Sequence, residues 1–138
     1  MFLSGEDMAI RLAPAPQEPS ASRRELVLAK ALGRAADHLG LTNATLAKIV
    51  GVSEPSVSRL KRGAFVLAEG TKPFELAQLL LRLFRGLDAI TGGDDQAARS
   101  WLRGPNTALA GRTPLALIQT VGGLVDAATY VDARRAVV

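Results

Sequence analysis

Ser53, Glu54, Ser56, Ser58, Arg59 and Arg62 fall within ten positions of one stretch, SEPSVSRLKR. Set on a helix, these side chains would share an outward face able to hydrogen-bond base edges and phosphates. Lys61 adds a point charge suited to a phosphate. Covalent chemistry has no comparable set. The chain has no cysteine and a single histidine, His38, so thiolate chemistry, a zinc site and a Ser–His mechanism all lack their parts. Asp94 and Asp95 stand at a helix start, where capping explains them. No glycine-rich phosphate loop follows a strand. The chain is therefore expected to be no enzyme and to need no metal or cofactor.

The elements that must hold these residues read as a helix-turn-helix, TNATLAKIVGVSEPSVSRLKRG. Thr42 or Asn43 caps a first helix that turns Leu46, Ala47, Ile49 and Val50 inward. Gly51 ends it in the left-handed conformation that costs glycine nothing. Val52 plugs the turn, Ser53 caps the second helix, and Pro55 lies in its first turn, where a missing N–H does no harm. Val57 and Leu60 point inward, and small Ala47 opposite them lets the helices cross closely. Charge agrees. Residues 23–62 hold eight basic and three acidic side chains, a net of +5, leaving −1 for the rest of a chain whose total is +4. Positive charge is thus concentrated where a duplex would lie.

Helical signals continue on both sides. Ser22 caps SRRELVLAKALGRAADHLGL, with Leu26, Ala29, Leu32, Gly33, Ala36 and Leu39 as one apolar face. Thr71 caps a longer helix with Pro73 in its first turn, whose stripe is Phe74, Ala77, Leu80, Leu81, Phe84 and Leu87. Phe74, Leu81 and Phe84 are expected to lie between two subunits of a homodimer. Asp94 or Asp95 caps a helix holding Ala98, Trp101 and Leu102. Thr113-Pro114 opens a short helix, PLALIQT, stopped by Gly122-Gly123, and LVDAATYVDARR forms the last one. No segment alternates with the period of a strand, so the class is all-α. Residues 1–22, with APAPQEP, read as a disordered N-terminal arm. No targeting or membrane-spanning stretch is visible, and a cytoplasmic protein is expected.

WLRGPNTALAGRTPLALIQTVGG resembles the toxin-binding domain of the MbcA/ParS/Xre antitoxins. That family shows a Trp-Leu pair, a Pro-Asn, an Ala-Leu, a glycine and a Thr-Pro-Leu, matched here by Trp101-Leu102, Pro105-Asn106, Ala108-Leu109, Gly111 and Thr113-Pro114-Leu115. The run follows an Xre-like helix-turn-helix, as in the family, with the ParS branch the nearest. The resemblance implies an Xre-like domain over residues 23–70 and a small helical toxin-binding domain over 71–138. It also implies a type II antitoxin whose partner is a RES-domain, ADP-ribosyltransferase-like, NAD-consuming toxin encoded by a neighbouring gene. Neutralisation would work by covering the toxin's NAD cleft, with autoregulation through operator DNA and a homodimer entering a heterotetramer with toxin. The toxin-binding residues expected are Asn106, Arg112, Tyr130, Arg134, Arg135, Val137 and Val138. Arg135-Ala136 stands where the family usually carries a glycine followed by a valine. The alternative is a free-standing Xre-type transcription regulator whose C-terminal half only dimerises.

Overall fold

The computed structural model describes residues 20–136. Most of the expected arm, residues 1–19, and both Val137 and Val138 lie outside the described residues.

Helix α1 (Arg23–Leu39) starts where Ser22 and Glu25 cap each other: the Ser22 hydroxyl accepts from the Glu25 N–H and the Glu25 carboxylate from the Ser22 N–H. Its buried stripe is Leu28, Ala29, Leu32, Ala35, Ala36 and Leu39. Leu26, expected inside, is 53% exposed. The first half of α1 is apolar on several sides, so periodicity admits two overlapping stripes, and packing against the later helices selects the one centred on Leu32.

Helices α2 (Asn43–Val50) and α3 (Glu54–Lys61) form the helix-turn-helix. Thr42 and Ser53 cap them, and Gly51 makes the turn at φ 77°. Leu46, Ala47, Ile49 and Val50 bury against Val57 and Leu60, as the spacing predicts. Helix α4 (Lys72–Thr91) is the hub and packs on α1, on α2, on α5 (Asp95–Arg103) and on α7 (Val121–Ala136). Thr71 holds its N-cap position by backbone alone, because the hydroxyl donates to the Ala68 carbonyl instead, at 2.6 Å. Serving four neighbours, α4 buries residues on several faces, Leu76, Leu83 and Gly86 included. Phe74 and Leu81 are consumed in this core, at 5% and 4% exposure, which removes them as a surface between subunits. Phe84 is half-buried and stacks on His38 with ring centroids 5.4 Å apart.

Asp94 caps α5 by accepting from the N–H groups of Gln96 and Ala97. A short 3-10 turn (Thr107–Leu109) and a single bridge between Asn106 and Arg112 follow, then α6 (Pro114–Leu117), capped by Thr113. The double glycine does not stop α6. It lies within the first turn of α7, which begins at Val121. The reason is steric: a Cβ on Gly123 would overlap the Leu117 carbonyl, so glycine lets α7 begin directly against the end of α6. Among the described residues there is no strand, and the architecture is all-α, a helix-turn-helix followed by a C-terminal helical unit. No described helix is long and apolar enough to cross a membrane.

Candidate functional site

The outward face of α3 is organised by short hydrogen bonds. Ser53 Oγ caps the helix and lies 2.8 Å from Ser56 Oγ. Arg59 donates to Ser56 Oγ at 3.2 Å, and its guanidinium sits 5.6 Å from the centre of the Phe65 ring. Arg62 donates to Ser58 Oγ at 3.1 Å. Glu54, Arg59, Lys61 and Arg62 are exposed, whereas Ser56 and Ser58 are half-buried. No carboxylate among the described residues pairs with Arg59, Lys61 or Arg62. Two guanidiniums are therefore held in place with their charge uncompensated, an arrangement able to meet a polyanion at little entropic cost. Lys61 departs from the group. Its stem runs beside Gly33 of α1.

A second cluster forms in the C-terminal half. Leu87, Ile90 and Thr91 of α4 floor a cleft of about 280 Å³, walled by Trp101, Asn106, Tyr130, Val131 and Arg134. The rings of Trp101 and Tyr130 lie nearly parallel, 9° apart with centroids 6.3 Å apart. Arg134 donates to the Tyr130 hydroxyl at 3.2 Å and sits 6.0 Å from the centre of its ring. Asn106 fixes the loop that follows it: its Oδ1 accepts from the Ala108 N–H, and its carbonyl accepts from the Leu109 and Gly111 N–H groups. With that oxygen engaged, Asn106 offers the cleft an N–H donor, as does Arg134, so the cleft suits a partner rich in acceptors.

Of the residues expected to contact toxin, Asn106, Tyr130 and Arg134 are thus brought together. Arg112 is exposed on the loop, its carbonyl accepting from the Asn106 N–H at 3.2 Å. Arg135 is exposed in the last turn of α7 and does not line the cleft. Trp101, part of the family-like motif in the sequence, lines the cleft too, and so do Ile90 and Thr91, which no motif marks.

The two halves are joined by contacts between residues some sixty positions apart. Arg99 of α5 donates to the carbonyls of His38 and Asp37 at 2.9 and 2.8 Å, and Arg103 donates to those of Leu39 and Gly40 at 3.3 and 2.8 Å. These guanidiniums cap the C-terminal end of α1, where the helix dipole favours positive charge. Their spacing of four residues, which sets both on one helix face, is the signal that could have found them. His38 Nδ1 lies 2.8 Å from the Asp95 carboxylate across the same joint. At the other end of α1, Glu25 accepts from the Glu69 N–H at 2.7 Å. The Ser22 and Glu69 backbone N–H groups, in that order, hold the Glu25 carboxyl below the usual range for a glutamate.

Comparison with known proteins follows the same division. Residues 18–85 match the model of the antitoxin Xre-like helix-turn-helix domain, and residues 86–136 match that of the antitoxin Xre/MbcA/ParS C-terminal toxin-binding domain. Among solved structures, the chain is similar to a chain of the M. tuberculosis MbcT–MbcA toxin–antitoxin complex. Identity is 28%, covering 81% of this chain and 96% of that one, with a TM-score of 0.61. No curated protein matches the sequence. Two domain models in tandem over residues 18–136, in the order in which the fold presents them, establish that the chain belongs to the Xre/MbcA/ParS family of antitoxins.

Proposed function

We propose that this antitoxin inhibits a RES-domain, ADP-ribosyltransferase-like, NAD-consuming toxin encoded beside it, by covering the toxin's NAD cleft. It does so without chemistry of its own, in the cytoplasm, and it represses its own operon through the outward face of α3. The observation that supports the toxin reading most is the convergence of Asn106, Tyr130 and Arg134 on one open, donor-rich cleft in the toxin-binding domain. The similar chain from M. tuberculosis sits in a toxin–antitoxin complex, which favours the same use here. Residues 23–70 would face DNA and residues 71–138 the toxin, with α4 serving both. A homodimer would enter a heterotetramer with toxin. Because Phe74 and Leu81 are consumed in the core, the exposed Val121 and Val125 of α7 are where a second copy would find apolar surface.

Co-expression with the product of the neighbouring gene, followed by co-purification and an NAD-consumption assay, tests the toxin reading. A stable complex whose NAD turnover appears only after the antitoxin is removed is expected. A neighbour that binds but consumes no NAD would overturn the assigned toxin class.

A further inference from the structure

The chain leaves α3 through a turn that carries one side chain back to the outward face of that helix. The Ala64 N–H donates to the Arg59 carbonyl at 2.8 Å, and the Gly63 N–H to the Leu60 carbonyl at 3.0 Å. Such a pair of bonds closes a helix C-terminus around a left-handed residue. Gly63 is that residue, at φ 79°. A Cβ there would meet nothing within 4 Å, so the backbone angle alone calls for glycine. The reversal sets Phe65 beside Arg59, whose guanidinium carbon lies 5.6 Å from the ring centre. Phe65 is half-buried and packs on the core, and Leu67 two residues later is 3% exposed, so the connector is anchored.

Arg59 is thereby restrained from two sides. Ser53 Oγ, the helix cap, lies 2.8 Å from Ser56 Oγ, which accepts from Arg59 Nη2 at 3.2 Å. From the connector, the Phe65 ring bears on the same guanidinium. Arg62 makes a similar bond to Ser58 Oγ but has no ring against it among the described residues. One Nη2 hydrogen of Arg59 is spent on Ser56, which leaves the other, both on Nη1 and the Nε–H as donors. Adjacent N–H groups on a fixed plane match the O6 and N7 acceptors of guanine in the major groove. A mobile arginine serves a phosphate equally well, whereas a seated one presents a single donor geometry.

We infer that Phe65, in the connector beyond the helix-turn-helix, is a positioning residue that sets Arg59 to read a guanine. The inference rests on the DNA reading of α3 and adds to it the base and the residue that selects it.

Duplexes selected by the full-length wild-type chain from a random-sequence pool supply the probe. Their guanines are replaced one at a time by 7-deazaguanine, which lacks the N7 acceptor. One replacement should weaken wild-type binding about fivefold or more and leave Arg59→Ala unaffected. Phe65→Leu keeps an apolar side chain and removes the ring. It should lower the preference for guanine over adenine at that position by about two- to fivefold, with the salt dependence unchanged. Phe65→Tyr should retain the preference. In the free protein, the Arg59 Nε–H resonance should be shifted by the ring in wild type and Phe65→Tyr and averaged in Phe65→Leu. An Arg59 resonance that Phe65→Leu leaves unchanged would overturn the inference. So would an intact guanine preference beside a freed Arg59, or a loss in Phe65→Leu that is uniform on every duplex, which makes Phe65 structural only. A wild-type chain that selects no sequence from the pool would sink the DNA reading of α3, and the guanine role with it, even where the Arg59 resonance shows the seat on Phe65.

Discussion

Gly86 of α4 faces Val131 of α7 so closely that a Cβ at residue 86 would overlap the Val131 Cγ1. Val131 is 1% exposed and has no solvent to swing into. This glycine sets the spacing of the most extensive helix pair in the fold. Gly86→Ala should therefore cost about 1–3 kcal/mol through overpacking, read as a lower urea midpoint. Gly122, in the first turn of α7, faces open space. Gly122→Ala should raise stability by about 0.4–1 kcal/mol by restricting the unfolded chain. A neutral Gly86→Ala would show that α4 and α7 can separate freely.

The Arg99 clamp on the end of α1 should prove specific to arginine. Arg99→Ala is expected to cost about 1 kcal/mol, less than buried charge-assisted bonds because the site is partly exposed. Arg99→Lys should recover little, since an ammonium cannot reach two successive carbonyls as a planar fork does. Urea unfolding of the two variants, with Arg103→Ala to complete a double-mutant cycle, measures this. Full recovery by lysine would reduce the clamp to a simple charge–dipole contact.

Glu25 makes stability depend on pH with a defined sign. Its folded pKa is depressed, first by the Ser22 and then by the Glu69 backbone N–H. The unfolded chain therefore binds its proton first as pH falls. The contribution is complete above the unfolded carboxylate range and is lost as pH drops through the lowered folded value. Melting temperatures of the wild type and Glu25→Gln should differ at neutral pH and converge in acid. A difference that persists unchanged in acid would contradict the assignment.

On DNA, Arg59→Ala should relax base preference by about 1–3 kcal/mol if its guanidinium reads a base edge. If Lys61 contacts a phosphate from its place beside α1, Lys61→Ala should weaken binding similarly on all sequences and lower the salt dependence by about one unit of slope. Footprinting and titrations at several salt concentrations separate the two effects. An Arg59→Ala, Arg62→Ala protein that holds its operator as before would remove α3 as the recognition helix.

Neutralisation by the C-terminal end needs a cut that spares the core. Deletion from Tyr130 would take out buried Val131 and the stack on Trp101, so loss of function would only report unfolding. Ending the chain after Ala133 removes Arg134 and Arg135, both exposed, and keeps those contacts. This truncation should release toxin activity while the helix-turn-helix stays folded by circular dichroism. Arg134→Ala with Arg135→Ala should raise residual NAD consumption by the complex if charge matters at the cleft. Full protection by the truncated chain would move the toxin contacts upstream, to residues 101–123.

The sequence by itself determined the local events. Ser22, Thr42, Ser53, Asp94 and Thr113 cap the helices assigned to them, and Gly51 makes the turn of the helix-turn-helix. Each of these depends on hydrogen bonds and φ preferences within about four residues, which a sequence states directly. Tertiary structure decided which face of α1 turns inward, why Gly123 opens a helix instead of ending one, and where Phe74 and Leu81 are spent. It also decided that Asn106, Tyr130 and Arg134 share a cleft, and that Arg99 closes the end of a helix 61 residues earlier in the chain. Those outcomes follow from which helices lie against α4. A helical period sets the spacing of apolar residues along one element, but only the neighbouring element fixes its rotation and depth.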